Sequence, residues 1–185
     1  RKLKQLNILV LVTMLVGLVV MGLFVFVFSP GSENRINTEN LTKYNDNWVL
    51  KSINGNNDEI ITLPANIDAD SEDTILIMNR VPEDVNSDSV LVLETEFQNI
   101  LVTINDEKVY SNGILNDQKL MKNAVPCYNV ISIGNAKPGD VVSIYIASAY
   151  DKYSGRIGNI YFGTRGDAIS DIVRENGVSF VVAVA

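Results

Sequence analysis

The run Ile8–Phe28, ILVLVTMLVGLVVMGLFVFVF, contains no charged residue, and Thr13 is its only polar side chain. Such a stretch has few stable destinations. A helix of about 20 apolar residues spans the roughly 30 Å hydrocarbon core of a bilayer. A charge at the centre of that helix costs about 2.5–3.5 kcal/mol, so a run free of charge is what insertion favours. A helix buried in a soluble protein normally keeps a polar stripe, which this run lacks. Arg1, Lys2 and Lys4 precede it, whereas Ser29 to Asn40 carries one Arg and two Glu. That bias places the N-terminus in the cytoplasm and the chain after Pro30 outside. A cleaved signal peptide competes with this reading. Its apolar core is shorter, about 7–15 residues, and it ends in small residues, whereas this run ends in Val25, Phe26 and Phe28. The expectation is an uncleaved anchor: a cytoplasmic stub over 1–7, a transmembrane helix over 8–28 and a juxtamembrane linker over 29–46.

Composition narrows what the outer part can do. The net charge of −7 argues against nucleic acid and against anionic lipid as partners. The chain has no histidine, which removes the commonest general base and the commonest metal ligand. A Ser-His-Asp or Cys-His catalytic pair is therefore excluded. Cys127 is the single cysteine, so no intrachain disulfide can form. It has no activating neighbour in sequence and reads as a buried, inert thiol. This profile suits a bacterial cell-surface protein better than a cross-linked secreted one.

From Trp48 onward the pattern is short apolar or alternating runs separated by turn residues. Strands are predicted over Trp48–Ile53, Glu59–Leu63, Thr74–Met78, Val90–Thr95, Ile100–Ile104, Glu107–Tyr110, Asn129–Ile133, Val141–Ala147 and Arg156–Phe162. Asn105-Asp106 reads as a hairpin turn, because both residue types tolerate positive φ. Eight or nine short strands with no convincing helix between them predict a mainly β fold, an antiparallel β-sandwich or jelly roll, over 47–164. After it the spacing of Ala168, Ile169, Ile172 and Val173 predicts a connector helix over 165–177, with Asp167 as its cap and a break at Asn176-Gly177. Residues 178–185, VSFVVAVA, read as the start of a second transmembrane helix, which implies that the natural protein continues into the cytoplasm. A buried C-terminal strand is the alternative, given the β-branched residues there.

Several stretches together resemble a known group: Trp48 opening the β-region, Leu63-Pro64, Val102-Thr103-Ile104-Asn105-Asp106-Glu107-Lys108-Val109-Tyr110, and Gly158-Asn159-Ile160-Tyr161-Phe162-Gly163 before a helix. They look like the extracytoplasmic β-sandwich sensor regions of bacterial membrane signalling proteins such as diguanylate cyclases and histidine kinases. Those regions are similar to carbohydrate-binding jelly rolls. The resemblance covers roughly Trp48 to Ala168. It implies an output module on the cytoplasmic side, absent from this chain, and so no enzymatic activity in the chain itself.

No catalytic residue and no cofactor are expected. Asp68-Ala69-Asp70-Ser71-Glu72-Asp73 has acids at alternate positions, as a calcium loop would. Asp73, however, stands where the EF-hand loop needs glycine and Asn79 where it needs glutamate, so a solvated acidic loop is expected and no metal site is assigned, with calcium at a different jelly-roll site left open. Binding is the better prospect. Sugar-type ligands take aromatic faces and a few oriented polar groups. The candidates are Trp48, Arg80, Tyr110, Tyr150, Tyr153 and Arg156, with Tyr150-Asp151-Lys152-Tyr153 the strongest, because it pairs two aromatics with two charges in a predicted loop. Core packing is the plainer reading of Trp48 and Tyr110, and pairing with acids that of the two arginines. Ile169, Ile172 and Val173 are candidate signal-transmission residues, through packing on a second protomer in a homodimer. The ligand would be a small molecule such as a carbohydrate, or a partner protein. A single-anchor adhesive or structural envelope protein, or a carbohydrate-binding one, remains the alternative.

Overall fold

The computed structural model describes Gly17 and residues 41–51, 58–71, 73–113 and 124–184, with side chains in the last helix described through Arg174. All but Gly17 and 175–184 lie in the compact unit Asn37–Arg174. Apart from Gly17, which is helical, the predicted transmembrane run 8–28 lies outside the described residues, as do the stub 1–7 and linker residues 29–40. Among the described residues no helix is long and apolar enough to cross a membrane.

Two antiparallel sheets make up the unit. One has four strands in the order β1 (Thr42–Lys43), β12 (Ile160–Thr164), β6 (Ser89–Thr95) and β9 (Cys127–Ser132). The other has six, in the order β3 (Glu59–Ile61), β2 (Trp48–Lys51), β5 (Thr74–Arg80), β10 (Val141–Ala147), β7 (Asn99–Ile104) and β8 (Glu107–Asn112). A separate two-residue pair joins β4 (Ala65–Asn66) to β11 (Arg156–Ile157). The fold is mainly β and sandwich-like, and an α-helix, α1 (Arg165–Val184), follows its last strand.

Side-chain alternation explains the layering. Ile75 and Ile77 on β5, Val142, Ile144 and Ile146 on β10, and Ile100 and Val102 on β7 all turn inward to one core. Leu91 and Leu93 on β6 meet them from the four-stranded sheet. Burying each such side chain contributes about 1.5–3 kcal/mol. Strand β6 departs from alternation. Val90 and Val92, on its other face, are as fully buried as Leu91, so the continuous run SVLVLET is a strand covered on both sides.

The hairpin turn forms as its residues dictate, with Asn105 and Asp106 both at positive φ, 48° and 67°. Other expectations need correction. Leu41–Asp46, read as linker, belongs to the fold: Leu41 is buried, β1 pairs with β12, and Tyr44 packs edge-on against Trp48 with ring centroids 5.3 Å apart. Arg156–Phe162 is not one strand but two, β11 and β12, in different sheets. Asn45 enforces the break. Its Oδ1 accepts from the Ile160 amide at 3.0 Å and its Nδ2 donates to Asn159 Oδ1 at 2.8 Å. The tail is helical through Val184 without a break at Asn176-Gly177, which removes the C-terminal strand alternative. One glycine inside a helix costs about 1 kcal/mol, too little to end it.

The junction between sheet and helix has no spacer. Thr164 is the last residue of β12, opposite Ser89 of β6. It is also the helix cap: its hydroxyl accepts from the Asp167 amide at 3.2 Å and lies 2.6 Å from the Asp167 carboxylate. Arg165 N–H donates to Asp88 O at 3.0 Å. Thr164, rather than the expected Asp167, therefore caps the helix.

Candidate functional site

A cleft of about 280 Å³ opens where the β4–β11 pair meets the end of β6. Its apolar wall is Pro64, Ala65 and Ile157, and its polar groups are Asn66, Glu94, Glu96, Gln98 and Arg156. Arg156 Nη1 lies 3.0 Å from Glu96 Oε2, both side chains about half exposed, at 53% and 52%. Gln98 turns inward and ties two loops together. Its Nε2 donates to Tyr153 O at 2.9 Å and to Arg156 O at 2.6 Å.

Beside the cleft lies an aromatic cluster. Phe97, held at positive φ (54°), places its ring 4.8 Å from that of Tyr153 and 6.1 Å from that of Tyr150. The loop carrying the tyrosines is pinned rather than free. Residues Asp151–Tyr153 form a single 3₁₀ turn. Ser148 Oγ donates to Phe97 O at 2.9 Å and accepts from Tyr150 N at 3.1 Å. Asp151 Oδ1 accepts from Ser71 N at 3.2 Å. Gly155, at φ +76°, lets its carbonyl take the Ile67 amide at 2.8 Å, and a Cβ there would sit 1.8 Å from Ile67 O. Lys152 Nζ sits 5.1 Å from the centre of the Tyr153 ring. The cleft thus presents a guanidinium, two carboxylates and the Asn66 amide, with aromatic rings beside it, groups of the kind that small polar ligands use.

Of the six predicted binding residues, the fold gathers Tyr150, Tyr153 and Arg156 here. Trp48 is fully buried, its Nε1 donating to Tyr44 O at 2.8 Å, so it offers no ring face to a ligand and serves as core. Arg80 stands at the end of β5, with Nη1 3.0 Å from Gly139 O. Tyr110 lies on β8 in a separate polar knot with Asn112, Cys127, Asn129 and Thr95. Its hydroxyl donates to Asn129 Oδ1 at 3.0 Å, and burial, then the nearby Cys127, push its pKa up. Asn112 Nδ2 lies 3.2 Å from the Cys127 sulfur. That thiol, expected to be buried, is half-buried and hydrogen-bonded.

Sequence reading missed Phe97, Glu96 and Gln98. Their signal is a short polar-aromatic segment, Glu94-Thr95-Glu96-Phe97-Gln98, between two apolar strands, a pattern like that of the tyrosine loop. In the acidic loop, Asp73 Oδ2 accepts from Asp70 N at 2.9 Å, and no group of three or more potential metal ligands gathers among the described residues. On α1, Ile169 and Val173 are exposed, at 52% and 44%, and Ile172 is half-buried, whereas Ala168 and Asp171 are buried. The Asp171 carboxylate has Arg174 Nη2 at 3.6 Å and makes no hydrogen bond.

The chain matches no family model and no curated protein. Among solved structures it is similar to an FMN-binding beta-glucuronidase from Facaelibacterium prausnitzii L2-6, at 13% identity over 66% of this chain and 22% of that one, with a TM-score of 0.44. It is also similar to a b-glucuronidase from Ruminococcus gnavus in complex with uronic deoxynojirimycin, at 11% identity over 68% of this chain and 29% of that one, with a TM-score of 0.40. The R. gnavus enzyme in complex with N1-substituted uronic isofagomine gives 10% identity over 74% and 32%, with a TM-score of 0.43. The chain thus spans less than a third of the length of these structures, and likenesses this low transfer neither activity nor substrate.

Proposed function

We propose that this chain is the extracytoplasmic, ligand-sensing part of a bacterial membrane signalling protein, anchored by residues 8–28 and joined through α1 to a second membrane segment. The ligand is a small polyhydroxylated molecule of carbohydrate type, held in the Glu96–Arg156 cleft. The observation that carries this reading is the junction at Thr164, which ends a sheet strand and caps a helix with no flexible residue between. A sensor has to pass a change in its binding domain to a helix, and a rigid junction does this where a linker would absorb it. Supporting it are the charge-free run Ile8–Phe28 with its basic leading flank and the apolar sequence after Gly177. The output, of diguanylate cyclase or histidine kinase type, lies on the cytoplasmic side. Exposed Ile169 and Val173, with Ile172, supply the contact to a second protomer.

Membrane orientation is tested by maleimide labelling of intact cells, with Cys127→Ser as background and single cysteines at Asp106 and Lys2. The reading requires Asp106→Cys to label from outside and Lys2→Cys to label after lysis; labelling of Asp106→Cys only after lysis refutes it. Signal passage is tested in the full-length protein by inserting Gly-Gly-Ser between Gly163 and Thr164, which should uncouple ligand from output. The cleft also favours a second reading, a surface-tethered carbohydrate-binding protein, in which ligand binding persists and residues 178–185 do not enter the membrane.

A further inference from the structure

A second cavity, of about 360 Å³, lies on the outer face of the six-stranded sheet, away from the residues of the cleft. Val49, Met78 and Val141 form its floor. They come from three adjacent strands: Val49 lies opposite Met78 across β2 and β5, and Val141 opposite Arg80 across β5 and β10. Lys51 and Arg80 stand on its rim, and among the described residues no carboxylate lines it. In a chain with 22 acids against 15 basic residues, a cavity whose described lining carries two cations and no acid stands out.

The two cations are not equivalent. Lys51 Nζ is already paired with the Asp58 carboxylate. Arg80 has no carboxylate partner among the described residues; its guanidinium, which has more N–H donors than this contact uses, meets the Gly139 carbonyl at 3.0 Å. Its backbone is held firmly, with the amide donating to Asn79 Oδ1 at 2.8 Å and the carbonyl accepting from the Tyr44 hydroxyl. Asn79 is in turn fixed by its bond to Asp46 O at 2.9 Å. A guanidinium presented from a fixed backbone beside an apolar floor matches a planar anion carried on an apolar body.

We propose that this cavity is a binding site for small amphiphilic carboxylates, with the carboxylate on Arg80 and the apolar body on Val49, Met78 and Val141. It goes beyond the sugar cleft, shares no residue with it, and selects the opposite chemistry.

The test uses the full 185-residue chain in phosphocholine nanodiscs with ¹³C-methyl methionine, which gives one signal from the cavity floor, Met78, among four methionines. The probe is 3-phenylpropionate, with neutral 3-phenylpropanamide as its isostere. The acid should shift the Met78 methyl signal saturably with a Kd of order millimolar, the range expected for a ligand of this size. The amide should bind about tenfold more weakly, and Arg80→Gln should bring the acid down to the amide's level. Arg156→Gln, in the cleft, should change neither titration. An unmoved Met78 signal, equal affinity for acid and amide, or full acid binding by Arg80→Gln would overturn the proposal. The acid–amide comparison on the unaltered chain decides the matter even if Arg80→Gln does not fold.

Discussion

The cleft and the second cavity, a trough over β2, β5 and β10, sit on one sandwich and differ in nearly every physical respect. The cleft is made of loop residues, a two-residue strand pair and the end of β6, and its shape depends on individual hydrogen bonds: Gln98 to Tyr153 and Arg156, Ser148 to Phe97, Gly155 to Ile67. The trough is made of three paired strands, and its floor is the outer face of residues whose neighbours fill the core. One site can be reshaped by changing a single loop bond; the other moves only if the sheet does. Their charges differ as well: among the described residues, carboxylates with one arginine against cations with no carboxylate. A single net charge of −7 therefore describes neither site.

That contrast can be broken at several levels. Trp48→Ala should abolish it by weakening both sites at once, because Trp48 lies in the core beside Val49 and anchors Tyr44. The expected loss is about 3–5 kcal/mol, read from urea unfolding as a lower midpoint. Gly155→Ala should separate the sites. The left-handed backbone and the 1.8 Å approach to Ile67 O cost an alanine about 1–3 kcal/mol, and hydrogen exchange should rise over 148–157 while the Met78 response persists. Equal damage at Met78 would show that the sites are not independent.

Alkaline pH should weaken the fold through a group that holds the Arg80 end of the trough. Burial holds the Tyr44 phenol well above its usual pKa, and its hydroxyl donates to the Arg80 carbonyl. The unfolded chain releases that proton near pH 10 while the fold retains it, so unfolding is coupled to deprotonation. Stability should be full below about pH 10 and fall as pH rises through that value. Tyr44→Phe should flatten this alkaline limb, leaving a smaller slope from Tyr110, whose pKa is also raised. A limb unchanged by Tyr44→Phe would assign it elsewhere. The smallest effect is expected from Arg156→Gln. The half-exposed pair with Glu96 contributes about 0–1 kcal/mol, so calorimetry should show little change in stability alongside lost sugar-type binding in the cleft.

Legibility in the sequence followed the same division. The strands beneath the trough were readable because alternation and β-branched residues mark them: Val141–Ala147 is a strand with the expected bounds, and Thr74–Met78 extends by only two residues, to Arg80. The hairpin turn was readable from Asn105-Asp106. The cleft was half readable. Tyr150, Tyr153 and Arg156 carry a compositional signal, but the partners that hold them, Phe97 and Gln98, are more than fifty residues away and are joined to them by ring contacts and tertiary hydrogen bonds. Strands of two residues, β1, β4 and β11, are too short to show any period. The split of Arg156–Phe162 depends on Asn45, more than a hundred residues earlier. The cap moved from Asp167 to Thr164 because a residue that ends a strand can also start a helix, which local spacing cannot register.

The spacer-free junction at Thr164 also sets a rule of angular phase. Each residue in a helix turns the chain by about 100° and advances it about 1.5 Å. Adding one residue just after the cap would swing Ile169 and Val173 about a quarter turn around the helix axis relative to β12, whereas adding seven would bring them nearly back into line. Length variation at this joint should therefore be quantised: insertions and deletions close to a whole number of helical turns, about 7, 11 or 18 residues, are tolerated and those that fall half a turn out are not, however conservative their composition.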